Sequence, residues 1–294
     1  MKLFAPKYYR NFKCIADRCE HSCCIGWEID IDEDTIKTYK ALKSGYGAVI
    51  MESISMEDTP HFKLCEGDRC PHLDERGLCR IILNMGEDYL CHICREHPRF
   101  YNYTNVAEVG LGMSCTEAAR LILSSSDYAT MVEIGTVDAE PDGVAFDGRA
   151  ARDELYAILQ DHERSYGERL NAIREKYGIA RDEDTARLEK LEALEYLDEE
   201  HKSLFMRYSS LHNPCSREEY GERFLAYLIY RHCTEATDEE EFGIRLAFCL
   251  FCEQLLASLM VSEQAESLSE VAVLTRIISE EIEYSDDNTW TLTY

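Results

Sequence analysis

The sequence predicts a mainly α protein in two parts: a cysteine-rich N-terminal domain of short helices and strands (residues 1–135) and an all-helical C-terminal domain (residues 136–294). Ten of the 14 cysteines lie at or before Cys115. Beyond residue 150, apolar residues recur at helical spacing. Between the two parts, the segment 135–144 is rich in turn-forming and acidic residues, which is typical of a boundary loop.

The N-terminal part begins with a strand signal and a helix signal. Residues 27–32 alternate apolar and polar side chains, which predicts a short strand. Asp32 or Asp34 then caps a helix that runs to Leu42, because acidic residues are favoured at helix starts.

Further along, the pattern is again one of short elements. The turn-forming residues 74–77 place Cys70 and Cys79 on the arms of a small hairpin. Residues 106–112 predict another strand, followed by a helix that begins within residues 114–116.

The C-terminal part is predicted to be a succession of amphipathic helices. The expected ranges are 150–165, 167–177, 185–197, 199–212, 216–233, 238–261 and 264–283. A stripe of leucines follows the helical period and consists of Leu188, Leu191, Leu194 and Leu197. The dipeptide Asn213-Pro214, followed by Ser216, predicts the stop of one helix and the N-cap of the next.

Composition and charge restrict the class of protein. Hydrophobic residues at 45% and charged residues at 30% are typical of a soluble globular chain. The first residues lack the apolar run of a signal peptide, so a cytoplasmic location with reduced thiols is expected. Charged or polar residues interrupt the apolar stretch 244–260, which disfavours a membrane span. The net charge of −26 disfavours binding to nucleic acid and would attract a lysine-bearing partner.

The cysteine spacing indicates a metal or iron–sulfur site. Soft thiolates bind zinc, cuprous copper or iron–sulfur clusters, and each such site needs about four ligands. Ten cysteines exceed one site, so either two sites exist or several thiols only support the site or are buried. The spacing C-x3-C-x2-C is absent because Gly26 occupies the third position, and the pair Cys91–Cys94 lacks the second half of a zinc ribbon.

The order of the cysteines resembles one family. The chain contains C-x4-C-x3-CC-x-GW, then C-P-x-L with x5 to a second cysteine, then C-R-x-x-P-R, then S-C-x-E. These residues are Cys14, Cys19, Cys23, Cys24, Gly26, Trp27, Cys70, Cys79, Cys94, Arg95, Pro98, Arg99, Ser114, Cys115 and Glu117. Over residues 1–123 this ordered set is similar to the flagellin lysine-N-methylase family and to a broader family of small cysteine-rich zinc- or iron-chelating proteins.

The resemblance implies an enzyme of the bacterial flagellum that transfers a methyl group from S-adenosylmethionine to lysine side chains of flagellin. It also implies an iron–sulfur cluster, expected to be of the 4Fe-4S type, with zinc as the alternative metal. The ligands that it implies are Cys14, Cys19, Cys23, Cys24, Cys70, Cys79, Cys94 and Cys115. Cys65 and Cys91 fall outside the family pattern and rank lower.

Several polar residues beside the cysteines have two interpretations. Arg95 and Arg99 could neutralise a thiolate cluster or bind the carboxylate of S-adenosylmethionine, and structural ion pairs are equally compatible with them. His97 stands where the family has an aromatic residue, either as an extra ligand or proton carrier or as a neutral variation. His72 could ligate metal, but we expect it to be a histidine on the surface or one that supports the site.

The remaining motifs leave the catalytic residues unassigned. The fragment Gly110-Leu-Gly112 lacks the third glycine of a dinucleotide-binding fingerprint. Cys249 and Cys252 have a redox-like spacing, but the apolar helix around them predicts burial. Two other classes therefore stay open: a non-catalytic zinc- or iron-binding module, and an iron–sulfur redox sensor or electron carrier.

Overall fold

The computed structural model describes residues 1–141, 143, 146–207 and 217–294. It is mainly helical, with 55% helix and 11% strand, which confirms the predicted mainly α class. The α-helices are α1 (Glu33–Ala41), α2 (Tyr46–Glu52), α3 (Arg80–Met85), α4 (His92–Glu96), α5 (Thr116–Ser124), α6 (Gly148–Leu159), α7 (Tyr166–Tyr177), α8 (Asp182–Lys190), α9 (Glu199–Met206), α10 (Glu218–His232), α11 (Glu239–Ser262), α12 (Leu268–Ile278) and α13 (Asp286–Thr293). The strands are β1 (Lys2–Pro6), β2 (Ile54–Ser55), β3 (His61–Phe62), β4 (Arg99–Tyr103), β5 (Ala107–Leu111) and β6 (Met131–Thr136).

The chain divides into two compact units. The cysteine unit is Lys13–His97, and the helical unit combines Met1–Phe12 with Pro98–Tyr294. This division differs from the predicted domains 1–135 and 136–294. The reason is that β1 pairs in parallel with β5 and antiparallel with β6, so the first residues of the chain belong with the residues after Pro98.

The helical unit contains a four-stranded sheet in the order β4-β5-β1-β6. The central strand β5 is buried along its whole length and confirms the strand predicted for 106–112. The predicted boundary loop 135–144 needs correction, because Gly135 and Thr136 are the last residues of β6 and pair with Leu3 and Lys2.

The core of the helical unit is built around α10 and α11. Leu246, Phe248, Phe251 and Leu255 of α11 are each at most 1% exposed. By length and composition α11 could cross a membrane, but 83% of its most apolar stretch is buried inside the protein. Burial of that degree is typical of a core helix.

The predicted C-terminal helices are present with shifted ends. The segment predicted for 185–197 is α8 followed by a short 3₁₀ turn, Leu191–Ala193. The segment predicted for 264–283 is α12 followed by a π-helical turn, Ser279–Glu283. Helix α13 was not predicted, and the predicted stop at residues 213–216 lies outside the described residues.

The cysteine unit holds short elements around loops. Asp32 is the N-cap of α1, which confirms one of the two predicted alternatives. The strand predicted at 27–32 is wrong. Ile29 and Ile31 are buried alternately, but the segment pairs through a single bridge between Asp30 and His61, because its neighbour β3 is only two residues long.

One buried carboxyl group in the helical unit has no cation in hydrogen-bond contact among the described residues. Glu253 lies in the middle of α11, is 1% exposed, and accepts a hydrogen bond from the Tyr166 hydroxyl at 3.1 Å. Burial raises the pKa of Glu253 to about 7, against the opposing effect of that hydrogen bond.

Replacing Glu253 by glutamine is expected to remove a pH-dependent cost. Below the ordinary pKa of 4.5 the group is protonated in both folded and unfolded states, and above about 7 it must be charged inside the fold. The wild-type protein therefore loses up to about 3 kcal/mol of stability as the pH rises through this window, and the variant does not. Urea unfolding of both proteins at about pH 5 and about pH 8 measures the difference. If the variant and the wild-type protein differ in free energy of unfolding by the same amount at both pH values, the result would contradict the raised pKa of Glu253.

Candidate metal centre

The core of the cysteine unit is small and contains thiols. Its buried members are Ile29, Ile31, Ile36, Tyr39, Ile50, Ile54, Phe62, Ile81, Cys70 and Cys91, and the half-buried Cys24, Cys79 and Cys94 pack against them. We refer to Cys24, Cys70, Cys79, Cys91 and Cys94 as the thiol cluster. Each of these cysteines is a free thiol. A metal that binds these thiols would add substantially to the stability of the unit.

Backbone contacts bring the loops of the thiol cluster together. The N–H of Cys70 donates to the carbonyl of Cys24 at 2.8 Å, which aligns the two cysteine-bearing loops. Leu73 and Cys79 form a β-bridge across the predicted turn at 74–77. Gly77 has a φ of +77° there, a conformation that glycine adopts without strain.

Asp32 fixes the helix that carries the last two thiols. Its carboxylate accepts the N–H of His92 at 2.8 Å and that of Thr35 at 3.0 Å. Burial opposes ionisation, but these hydrogen bonds lower the pKa of Asp32 to about 2, so the anchor stays charged at neutral pH. Cys91 is the N-cap of α4 and Cys94 lies three residues later, on the same helix face.

The thiols affect one another's ionisation. Burial, with a smaller effect of the nearby thiols of Cys24, Cys79 and Cys91, raises the pKa of Cys70 to about 12. A hydrogen bond from Cys23 lowers the pKa of Cys24 to about 7. The interior therefore resists several thiolates at once unless a cation is present to balance their charge.

Cys91 and Cys94 share a hydrogen bond. It lowers the pKa of Cys91, while the same bond, followed by burial, raises the pKa of Cys94. The proton of this hydrogen bond lies between the two sulfur atoms. A thiophilic metal replaces that proton when it binds both sulfurs.

The other four of the eight predicted ligands are not members of the thiol cluster. Cys14 is exposed, and its sulfur accepts the N–H of Ala16 at 3.4 Å. The Cys19 thiol donates to the carbonyl of His21 at 2.8 Å. Cys23 is exposed and contacts the thiol cluster through Cys24. Cys115 belongs to the helical unit and packs against the core of that unit at the start of α5.

His72 is part of the hydrogen-bonded interior of the cysteine unit. It is 1% exposed, its Nδ1 lies 2.9 Å from the Tyr46 hydroxyl, and its Nε2 lies 2.8 Å from the Ser53 hydroxyl. Burial lowers the pKa of His72 to about 4, so the ring is neutral at pH 7. Both ring nitrogens are engaged, which agrees with a supporting role and not with ligation.

Arg95 and Arg99 belong to different units. Arg95 lies on α4 and donates to the carbonyl of Leu90 at 2.7 Å. Arg99 begins β4, and its Nε donates to the Tyr9 hydroxyl at 2.8 Å, with its guanidinium over the Tyr9 ring.

The thiol cluster suits a soft metal by its donor set. Within the described residues, no group of three or more histidine, cysteine or acidic side chains is already arranged to hold a metal ion. The five thiols nevertheless share one core, and four thiolates satisfy either zinc or a four-iron cluster. Cys91, which the family pattern ranks low, is one of them. The spacing C-x2-C with Cys94 is the signal that favoured it.

Comparison with known proteins identifies the family. The chain is 31% identical over 136 residues to the flagellar biosynthetic protein FliU of Salmonella muenchen, a match that covers 44% of this chain and 80% of FliU. It is also 31% identical over 136 residues to the lysine-N-methylases of Salmonella choleraesuis and Salmonella typhimurium. The chain belongs to the flagellin lysine-N-methylase family.

The match to the larger family members is partial. It covers 34% of each of the two lysine-N-methylases, so the chain corresponds to about a third of their length. No family model and no solved structure matches the chain.

Proposed function

We propose that this member of the flagellin lysine-N-methylase family is a protein lysine N-methyltransferase that uses S-adenosylmethionine and acts on flagellin. The observation that carries the proposal is the 31% identity to proteins named lysine-N-methylase. The flagellar name of FliU favours flagellin as the substrate. We propose that the protein acts in the cytoplasm, where its free thiols would stay reduced.

The thiol cluster is proposed to hold the metal group. Of the eight ligands that the family resemblance implies, the proposal keeps Cys24, Cys70, Cys79 and Cys94 and adds Cys91. A 4Fe-4S cluster is the proposed occupant, with zinc as the alternative. When bound, such a group would cross-link the loops of the cysteine unit and neutralise its buried thiolates. The carboxylate of S-adenosylmethionine is proposed to bind either Arg95 of the cysteine unit or Arg99 of the helical unit.

A methyl-transfer assay tests the function. Protein purified without oxygen is incubated with flagellin and S-adenosylmethionine that carries an isotope-labelled methyl group. Mass spectrometry of flagellin peptides is expected to find labelled methyl groups on lysine side chains. Flagellin with acetylated lysines is the matched control, because acetylation converts the acceptor amine into a non-nucleophilic amide and leaves the rest of the substrate. If the lysines stay unlabelled although the protein is fully loaded with metal, the result would favour the metal-binding module or the redox carrier instead.

A further inference from the structure

A cleft of about 600 Å³ opens in the helical unit, and none of the residues that line it has been assigned a role above. The end of α7, the start of α8, the first turns of α11 and the end of α13 form its walls. Gly178 ends α7 with a φ of +65°, and this left-handed turn lets the chain pass directly into α8. The volume lies within the range of ligand-binding sites in proteins.

Two carboxylates at the rim of the cleft have no cationic partner. Glu239 and Glu240 occupy the first turn of α11 and are exposed. In the part of the chain that the structure describes, neither forms an ion pair, whereas Glu183 on the opposite wall faces Arg187 at 3.4 Å. The rim therefore carries negative charge that a cation in the cleft would neutralise.

Aromatic rings line the same cleft. The Tyr177 ring packs against Phe242 with its centroid 5.4 Å away. The Tyr294 ring packs at a tilt of 37° against Trp290, with the centroids 4.3 Å apart, and Trp290 is 65% exposed. Burial, followed by the nearby carboxylates of Glu154 and Glu239, raises the pKa of Tyr177 to about 12, so its ring is a neutral phenol beside a carboxylate. Aromatic faces with an adjacent anion are the arrangement that binds ammonium groups.

The protein itself places an ammonium group on one of these rings. The Nζ of Lys176 lies 5.7 Å from the centroid of Tyr177. Lys176 is held there by Glu154 at 2.8 Å, in an ion pair whose side chains are 39% and 63% exposed. Exposed pairs of this kind contribute little free energy, so a ligand can displace the lysine.

We propose that this cleft binds an alkylammonium group: the side chain of a lysine on a polypeptide, methylated or not. This inference rests on the proposed function, because the proposed methyl transfer to lysine is the reason for choosing lysine among the alkylammonium groups. The acidic rim and the aromatic walls select the cation, and the groove between the helices admits the aliphatic stem.

Fluorine NMR can locate and measure the binding. The chain has two tryptophans, so labelling the full-length protein with 5-fluorotryptophan gives two signals, which the Trp290→Phe variant assigns. Trp27 belongs to the cysteine unit and serves as the internal control. A short glycine-serine peptide with one lysine is expected to shift the Trp290 signal saturably and to leave Trp27 unchanged. Two matched peptides carry Nε-acetyl-lysine or Nε-methyl-lysine in place of the lysine. Free lysine is tested as a separate ligand.

Charge variants give effects of opposite sign. The double change Glu239→Gln with Glu240→Gln is expected to weaken binding about fivefold, and added salt to weaken it further. Lys176→Gln removes the competing cation and is expected to tighten binding about twofold. The matched control is Glu199→Gln with Glu200→Gln, because these residues occupy the same first-turn positions on α9, which does not line the cleft.

Each outcome decides the inference. Equal binding of the lysine and acetyl-lysine peptides, an unmoved Trp290, or equal effects of the α11 and α9 double variants would overturn it. Binding of free lysine as tightly as the peptide would assign the cleft to the free amino acid and not to a protein. If the cleft binds lysine but no methyl transfer is detected, the proposed function fails alone. If methyl transfer proceeds and Trp290 does not respond, the cleft inference fails alone.

Discussion

Replacing Glu108 by alanine is expected to lower the free energy of unfolding by about 3–5 kcal/mol. Glu108 is fully buried on β5, and its carboxylate accepts hydrogen bonds from Arg152 at 2.7 and 3.2 Å and from Arg149 at 3.0 Å. Arg152 is itself fully buried, with its guanidinium over the rings of Tyr156 and Tyr230. Without Glu108, that buried positive charge would keep only its contact with the exposed Asp153 at 3.3 Å, which is a weaker counter-charge.

Two further variants separate this mechanism from a general sensitivity of the sheet. Glu133→Ala on β6 removes an exposed ion pair with Lys2 at 2.8 Å, and should cost about 1 kcal/mol or less. The double variant Glu108→Leu with Arg152→Met removes both charges, and should recover most of the loss because no buried ion is left unpaired. Urea unfolding followed by circular dichroism measures all three. A double variant no more stable than the single one would show that the loss comes from packing.

The local elements of the fold were largely predictable. An N-cap predicts helix α1, an apolar run predicts strand β5, and the turn before it predicts helix α5. Each of these signals lies within a few residues of the element that it predicts. The sheet was not predictable, because β1 pairs with strands more than a hundred residues away and no local pattern records that pairing. The position of β1 also explains why the unit boundary falls at residues 12 and 97 and not near residue 135.

The candidate site was predictable in its chemistry but not in its membership. Crowded cysteines that form no disulfide indicate metal binding whichever loops carry them. Whether a thiol is buried depends on which loops meet, and Cys91 is buried while Cys14 and Cys65 are exposed. The cleft was not predictable at all, because its walls combine α7 and α8 with α11 and α13, and no local pattern records that these two pairs of helices meet.

Replacing Cys91 or Cys94 by serine is expected to remove the bound metal and to unfold the cysteine unit. Both residues lie in the thiol cluster and share one proton, so a metal that binds there takes both sulfurs as ligands. Metal binding to a structural thiolate site contributes on the order of 10 kcal/mol to folding. The small apolar core of this unit offers no replacement for that energy. Cys65→Ser, an exposed cysteine outside the cluster, is the matched control and should keep its metal.

The measurement is an anaerobic purification with an absorbance spectrum and analysis of iron, zinc and acid-labile sulfide. A brown wild-type protein that absorbs near ~400 nm, with about four irons and four sulfides per chain, would support the proposed cluster, and its loss in Cys91→Ser would place the cluster at these thiols. A colourless protein with stoichiometric zinc, lost in the same variants, would keep the site and change the metal. Cys14→Ser and Cys115→Ser distinguish the two ligand sets. If they lose the metal and Cys91→Ser retains it, the set implied by the family pattern is right, and the thiol cluster is only the packed interior of the cysteine unit.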